Sequence, residues 1–89
     1  MEDFAIIANQ TLTKEEEIVY SNNKGAVIKT ILLFSQNENT KEATLIFDGV
    51  AFKYLLTPGD TNVINSPIMT KEVRAMGEGV NVHITGLQL

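Results

Sequence analysis

The chain has 89 residues, a net charge of −4 and no cysteine, which limits it to one small domain without disulfides or thiolate metal sites. With 44% hydrophobic and 20% charged residues, it carries enough apolar side chain to fold and too much for a disordered tail. The acidic balance lacks the basic stripe that nucleic acid requires. A core this thin, burying roughly 60–65% of the unfolded surface, favours association with further copies or a larger partner.

The opening "MEDFAIIANQTL" has two acids, no basic n-region and an apolar run of five residues. It is expected to be neither a signal peptide nor a membrane span, which places synthesis and folding in a cytoplasm. Residues 3–12 read as a strand, with Phe4 and Ile6 on one face and Ala5 and Ile7 on the other. A charged turn, "TKEEE", leads to "EEIVYS" (16–21), where isoleucine, valine and tyrosine favour strand over a short capped helix. "NNKG" separates it from "AVIKTILLFS" (26–35). If Lys29 faces solvent, Ile31 and Leu33 fall on its side, so this strand is expected to be buried on both faces.

"NENTKE" (37–42) supplies turn chemistry, and "ATLIF" (43–47) is the return strand. Asp48-Gly49 between two apolar runs predicts a type I′ hairpin into "VAFKYLLT" (50–57). "PGD" turns the chain into the short strand "TNVIN" (61–65), which Ser66-Pro67 ends and marks as an edge. "TKEVRAM" (70–76) follows, and Gly77 and Gly79 bracket a turn into the closing "GVNVHITGLQL". There Val80, Val82 and Ile84 fall on one side, with Asn81, His83 and Thr85 on the other. The fold class expected is all-β, a single domain over 1–89: an antiparallel β-sandwich or jelly roll of seven to eight short strands.

Several of these segments resemble a pattern in small β-sandwich virion structural proteins of tailed bacteriophages, of the head decoration, head fibre or tail accessory type. The segments are the tyrosine-ended "EIVYS", then "AVIKTILLFSQN", the turn and apolar-proline stretch "LLTPGDTNVINSPI", and the close "GVNVHITGLQL". The likeness spans about residues 16–89. It departs after the tyrosine, where "YSNNKG" lacks the usual proline, and in "TKEVRAMGEG", which lacks a glycine-aspartate before the penultimate strand. The resemblance implies a non-enzymatic virion protein, made in a bacterial host cytoplasm, that oligomerises and docks on the capsid exterior as decoration or fibre base. Its expected partners are further copies of itself, a trimer favoured, and a phage capsid or tail protein, with no nucleic acid, membrane or cofactor. A tail or baseplate accessory, or a glycan- or ligand-binding attachment module, is the alternative.

Chemistry is sparse. His83 has no second histidine or cysteine to share a metal with; it reads as a solvated or interface residue with room for a pH-sensitive contact. Glu15, Glu16 and Glu17 read as a solvated turn, and "NENTKE" lacks the spacing of a calcium loop. Ser21, Ser35 and Ser66 sit beside turns, none in a nucleophile elbow. No enzyme is expected. Tyr20, Tyr54, Phe34 and Phe52 are expected to pack the core rather than stack on a ligand. The closing strand leaves Leu87 and Leu89 on the side of His83 unless a bulge at Gly86 returns them to the core. Phe4, Ile6, Ile7, His83, Leu87 and Leu89 are therefore the candidate partner or oligomer interface.

Overall fold

A computed structural model describes residues 5–36 and 41–89. Phe4 and most of the turn at 37–42 lie outside the described residues. Seven antiparallel strands form one continuous sheet: β1 (Ala5–Thr11), β2 (Glu17–Ser35), β3 (Lys41–Phe47), β4 (Val50–Leu56), β5 (Thr61–Ile64), β6 (Ile68–Met76) and β7 (Val80–Gln88). Their order is β1-β7-β2-β6-β3-β4, with β5 also paired to β2.

One strand departs from the sequence reading. The segments 16–21 and 26–35 are a single 19-residue strand, β2, so not every strand is short. Its first half pairs with β6, its second half with β5 on the same edge, and residues 26–35 pair with β7 on the other. β2 therefore belongs to both halves of the sandwich, β4-β3-β6-β2 and β1-β7-β2-β5.

The "NNKG" segment is an insertion inside β2 rather than a break. Ser21 pairs with Glu72 and Ala26 with Thr70, so four residues of β2 oppose Lys71 alone. Asn22 Oδ1 accepts from the Lys24 amide at 3.0 Å, and Gly25 takes a φ of 85°. That left-handed backbone is one glycine adopts without steric cost.

A second bulge corrects the expectation that β2 is buried on both faces. Ile28 pairs with Gly86 and Thr30 with Thr85, which leaves Lys29 as the extra residue. One inserted residue switches the side-chain phase. Ala26 and Ile28 before it, and Ile31, Leu33 and Ser35 after it, all face the core, while Val27, Leu32 and Phe34 are half-buried on the outer face. Opposite the bulge the two backbones nearly touch: a Cβ on Gly86 would sit 2.2 Å from the Val27 carbonyl oxygen.

The core draws on both halves of the sandwich. Ile28, Ile31, Leu33, Val80, Val82 and Ile84 come from one, and Ala43, Leu45, Leu56, Val73 and Ala75 from the other, each almost wholly buried. Asp48 (φ 50°) and Gly49 (φ 87°) form the expected two-residue hairpin. The Asp48 carboxylate extends the hairpin's grip on β6. It accepts from the Lys71 and Glu72 amides at 2.9 Å each and from the Thr70 hydroxyl at 3.0 Å. These donors lie just beyond the last β3–β6 pair, Phe47 with Val73, so the aspartate continues the contact with β6 past the end of that ladder.

Candidate functional site

The strand registers lay out the outer face of β1-β7-β2-β5 as rows of side chains. One row runs Asn9, His83, Leu32, Val63; the next runs Thr11, Asn81, Phe34, Thr61. Alternation in β7 holds to Gly86: Val80, Val82, Ile84 and Gly86 are buried, and Asn81, His83, Thr85 and Leu87 are half-exposed between them. The bulge that was to return Leu87 to the core is absent from β7. It lies across the ladder, at Lys29.

The expected interface residues divide accordingly. Ile6, His83 and Leu87 share this outer face, with Ile6 62% exposed. Leu89 is exposed at the end of the same strand, its amide donating to the Gly25 carbonyl at 3.0 Å. Ile7 leaves the set. It is the bulged residue of β1, between Ile6 paired to Thr85 and Ala8 paired to Ile84, and it turns into the core.

At the β5 end of this face the two rows enclose a cleft of about 250 Å³, lined by Asn9, Leu32, Phe34, Thr61, Asn81 and His83. Its polar side chains are held by one another. Thr11 Oγ1 donates to Asn81 Oδ1 at 2.7 Å, and Gln36 Nε2 donates to the same oxygen at 2.8 Å. His83 Nδ1 lies 3.2 Å from Asn9 Oδ1. The sequence reading singled out His83 and weighed Phe34 for ligand stacking, but could not bring them together with Asn9 and Asn81, which reach the cleft from β1 and β7.

A second exposed feature is the edge strand β4. Phe47 and Val50 flank the two-residue turn as the first hydrogen-bonded pair, so the ladder to β3 uses Val50, Phe52, Tyr54 and Leu56. The N–H and C=O groups of Ala51, Lys53 and Leu55 consequently point away from the sheet. Asn62 Nδ2 lies 3.5 Å from the Leu55 carbonyl oxygen, and the described residues supply no further partner on that edge. Val50, Phe52 and Leu55 are 58%, 49% and 70% exposed. Between β4 and β5 opens an apolar cleft of about 280 Å³ lined by Phe47, Phe52, Tyr54, Ile64 and Ile68.

The expectation that the aromatic side chains pack the core holds in part: Tyr20 and Tyr54 pack against it, while Phe34 lies on the outer face of β2 and Phe52 is exposed. Among the described residues only Phe47 is buried; Phe52 stands exposed with its ring 5.9 Å from that of Phe47, and Tyr20, Phe34 and Tyr54 are half-buried. Apart from Phe47, the large side chains of the buried cluster are aliphatic.

The glutamate run makes surface pairs. Glu16 meets Arg74 at 3.2 Å and Glu17 accepts from Gln10 at 3.1 Å. Arg74 also bonds Glu72 at 2.7 Å, and that bond, then the one to Glu16, raises its pKa above the ordinary value. Among the described residues no three metal-ligating side chains converge. No protein-family model matches the chain, and no curated protein matches it.

Proposed function

We propose that the chain is a non-enzymatic structural component of a tailed-phage virion, which self-associates and docks on the capsid exterior as decoration or fibre base. The observation that carries this reading is the β4 edge. Natural proteins blunt exposed edges with prolines, repeated charges, short length or a covering segment. β4 is seven residues long, contains no proline and has one charge, Lys53. That lysine is paired to Glu42 at 3.8 Å. An edge left open in this way suits pairing with a neighbouring copy, where backbone hydrogen bonds hold the contact and flanking side chains set its register.

A self-complementary register exists. Centring two antiparallel copies of β4 on Phe52 places Ala51 opposite the neighbouring Lys53, so the groups already facing outward meet one another. It also brings the two Phe52 rings together at the closely spaced pair, where cross-strand aromatic contacts contribute roughly 0.2–1 kcal/mol. Assembly of this kind needs no catalytic group. The segments from "EIVYS" to "GVNVHITGLQL" add the likeness to phage virion modules.

The test is made on particles. Virions of the phage that encodes this chain, purified on a density gradient, are expected to contain it in many copies. It should be labelled by an amine reagent that does not penetrate the shell. Its absence from purified particles would overturn the reading.

A further inference from the structure

We propose that the cleft at the β5 end of the outer face is a binding site for one ring of a neutral saccharide. The inference rests on the chemistry of the lining and stands apart from the assembly role, because the β4 edge belongs to the opposite half of the sandwich.

A sugar ring presents an apolar C–H face and a rim of hydroxyls, so its site needs a hydrophobic floor framed by planar polar groups. The cleft has both. Phe34 and Leu32, adjacent across two rows of β2, form the floor, and Asn9, Asn81, His83 and Thr61 surround it. The frame is oriented before any ligand arrives. Asn81 Oδ1 is occupied by Thr11 and Gln36, so what its side chain has to offer a ligand is its amide N–H donors. With Asn9 Oδ1 as acceptor, a neutral His83 carries its proton on Nδ1 and keeps Nε2 as an acceptor. The Asn9 amide N–H groups remain as further donors, and the Thr61 hydroxyl can serve either way. Neutral hydroxyls, each both donor and acceptor, match such a mixed frame.

Charge and size narrow the ligand class. The lining contains no Asp, Glu, Lys or Arg, so a phosphate or carboxylate would find no counter-ion and would lose its hydration uncompensated. A volume of about 250 Å³ lies below the roughly 300–1,000 Å³ of sites for drug-sized ligands. It suits one ring, with the rest of a glycan running over the open face.

The experiment is a titration of the full chain followed by 1H–15N correlation NMR. The probes are glucose, galactose and N-acetylglucosamine, with glucuronate as the anionic control, taken to about 100 mM, where even millimolar sites saturate. At least one neutral sugar is expected to give saturable shifts at Asn9, Phe34, Thr61, Asn81 and His83. Asn81→Ala is expected to weaken it by about threefold to tenfold, as loss of one hydrogen bond does. Phe34→Ala should abolish it, and the exposed Asn9→Ala supplies a second variant should Phe34→Ala unfold. The proposal is overturned if no neutral sugar gives saturable shifts there, or if glucuronate binds as well as they do. It is equally overturned if the cleft resonances broaden with protein concentration alone, which would make the occupant a second copy.

Discussion

Two glycines in this chain do different work, and substitution separates them. Gly86 has no left-handed backbone; what it lacks is room, since an added Cβ would meet the Val27 carbonyl oxygen at 2.2 Å and Ile28 Cα at 2.9 Å. Gly49 has open space around it but a φ of 87°. Gly86→Ala must push the β2 and β7 backbones apart and is expected to cost about 3 kcal/mol, whereas Gly49→Ala costs about 1 kcal/mol of conformational strain. Urea unfolding of the two variants measures the difference, and equal costs would contradict the close approach. Asp48 acts through its charge. Hydrogen bonds from the Glu72 amide first, and then from Lys71, hold its carboxyl below the ordinary range of an aspartate. A depressed folded pKa means that its contribution is complete above the unfolded value and is lost as pH falls through the folded one. Thermal melts from pH 7 down to acid should show wild type losing stability below about pH 4. Asp48→Asn should start lower and lose less. At this scale the Asp48-Gly49 turn and the outward side of His83 were legible in local sequence. The three-donor clamp on Asp48 was not, because its donors lie more than twenty residues away in β6.

The strand character of the apolar segments was legible in sequence, and so was the phase of β7, but the phase of β2 was not. The run "AVIKTILLFS" reads as apolar on both faces because periodicity assumes an unbroken alternation, which Lys29 interrupts. Nothing in a lysine announces a bulge; the signal sits across the ladder, in Gly86. The same non-locality hid the cleft, since β1 pairs with β7 across more than seventy residues to set Asn9 beside His83. Deleting Lys29 tests this account of β2. Removing the bulged residue restores strict alternation and leaves Ile31 and Leu33 on the same core face as Ala26 and Ile28. The deletion variant is expected to keep the dispersed amide spectrum of a folded β protein. Loss of that spectrum would contradict the assignment of Lys29 as the inserted residue.

At the scale of the molecule, two thin sheets sharing one long strand bury an aliphatic core and leave Val50, Phe52 and Leu55 uncovered along one edge. That edge is where the account places self-association, and a single substitution isolates it. The Lys53 amide points outward and bonds nothing in β3, so Lys53→Pro removes a donor the monomer does not use. The exposed ion pair to Glu42 that it also removes contributes little. The decisive measurement is light scattering behind size exclusion, on wild type and Lys53→Pro, over a wide range of concentration. The account predicts a discrete wild-type oligomer of at least twice the chain's 9.8 kDa, reduced to a folded monomer by the proline. A wild-type chain that stays monomeric at the highest concentration, or an oligomer indifferent to the proline, would contradict it.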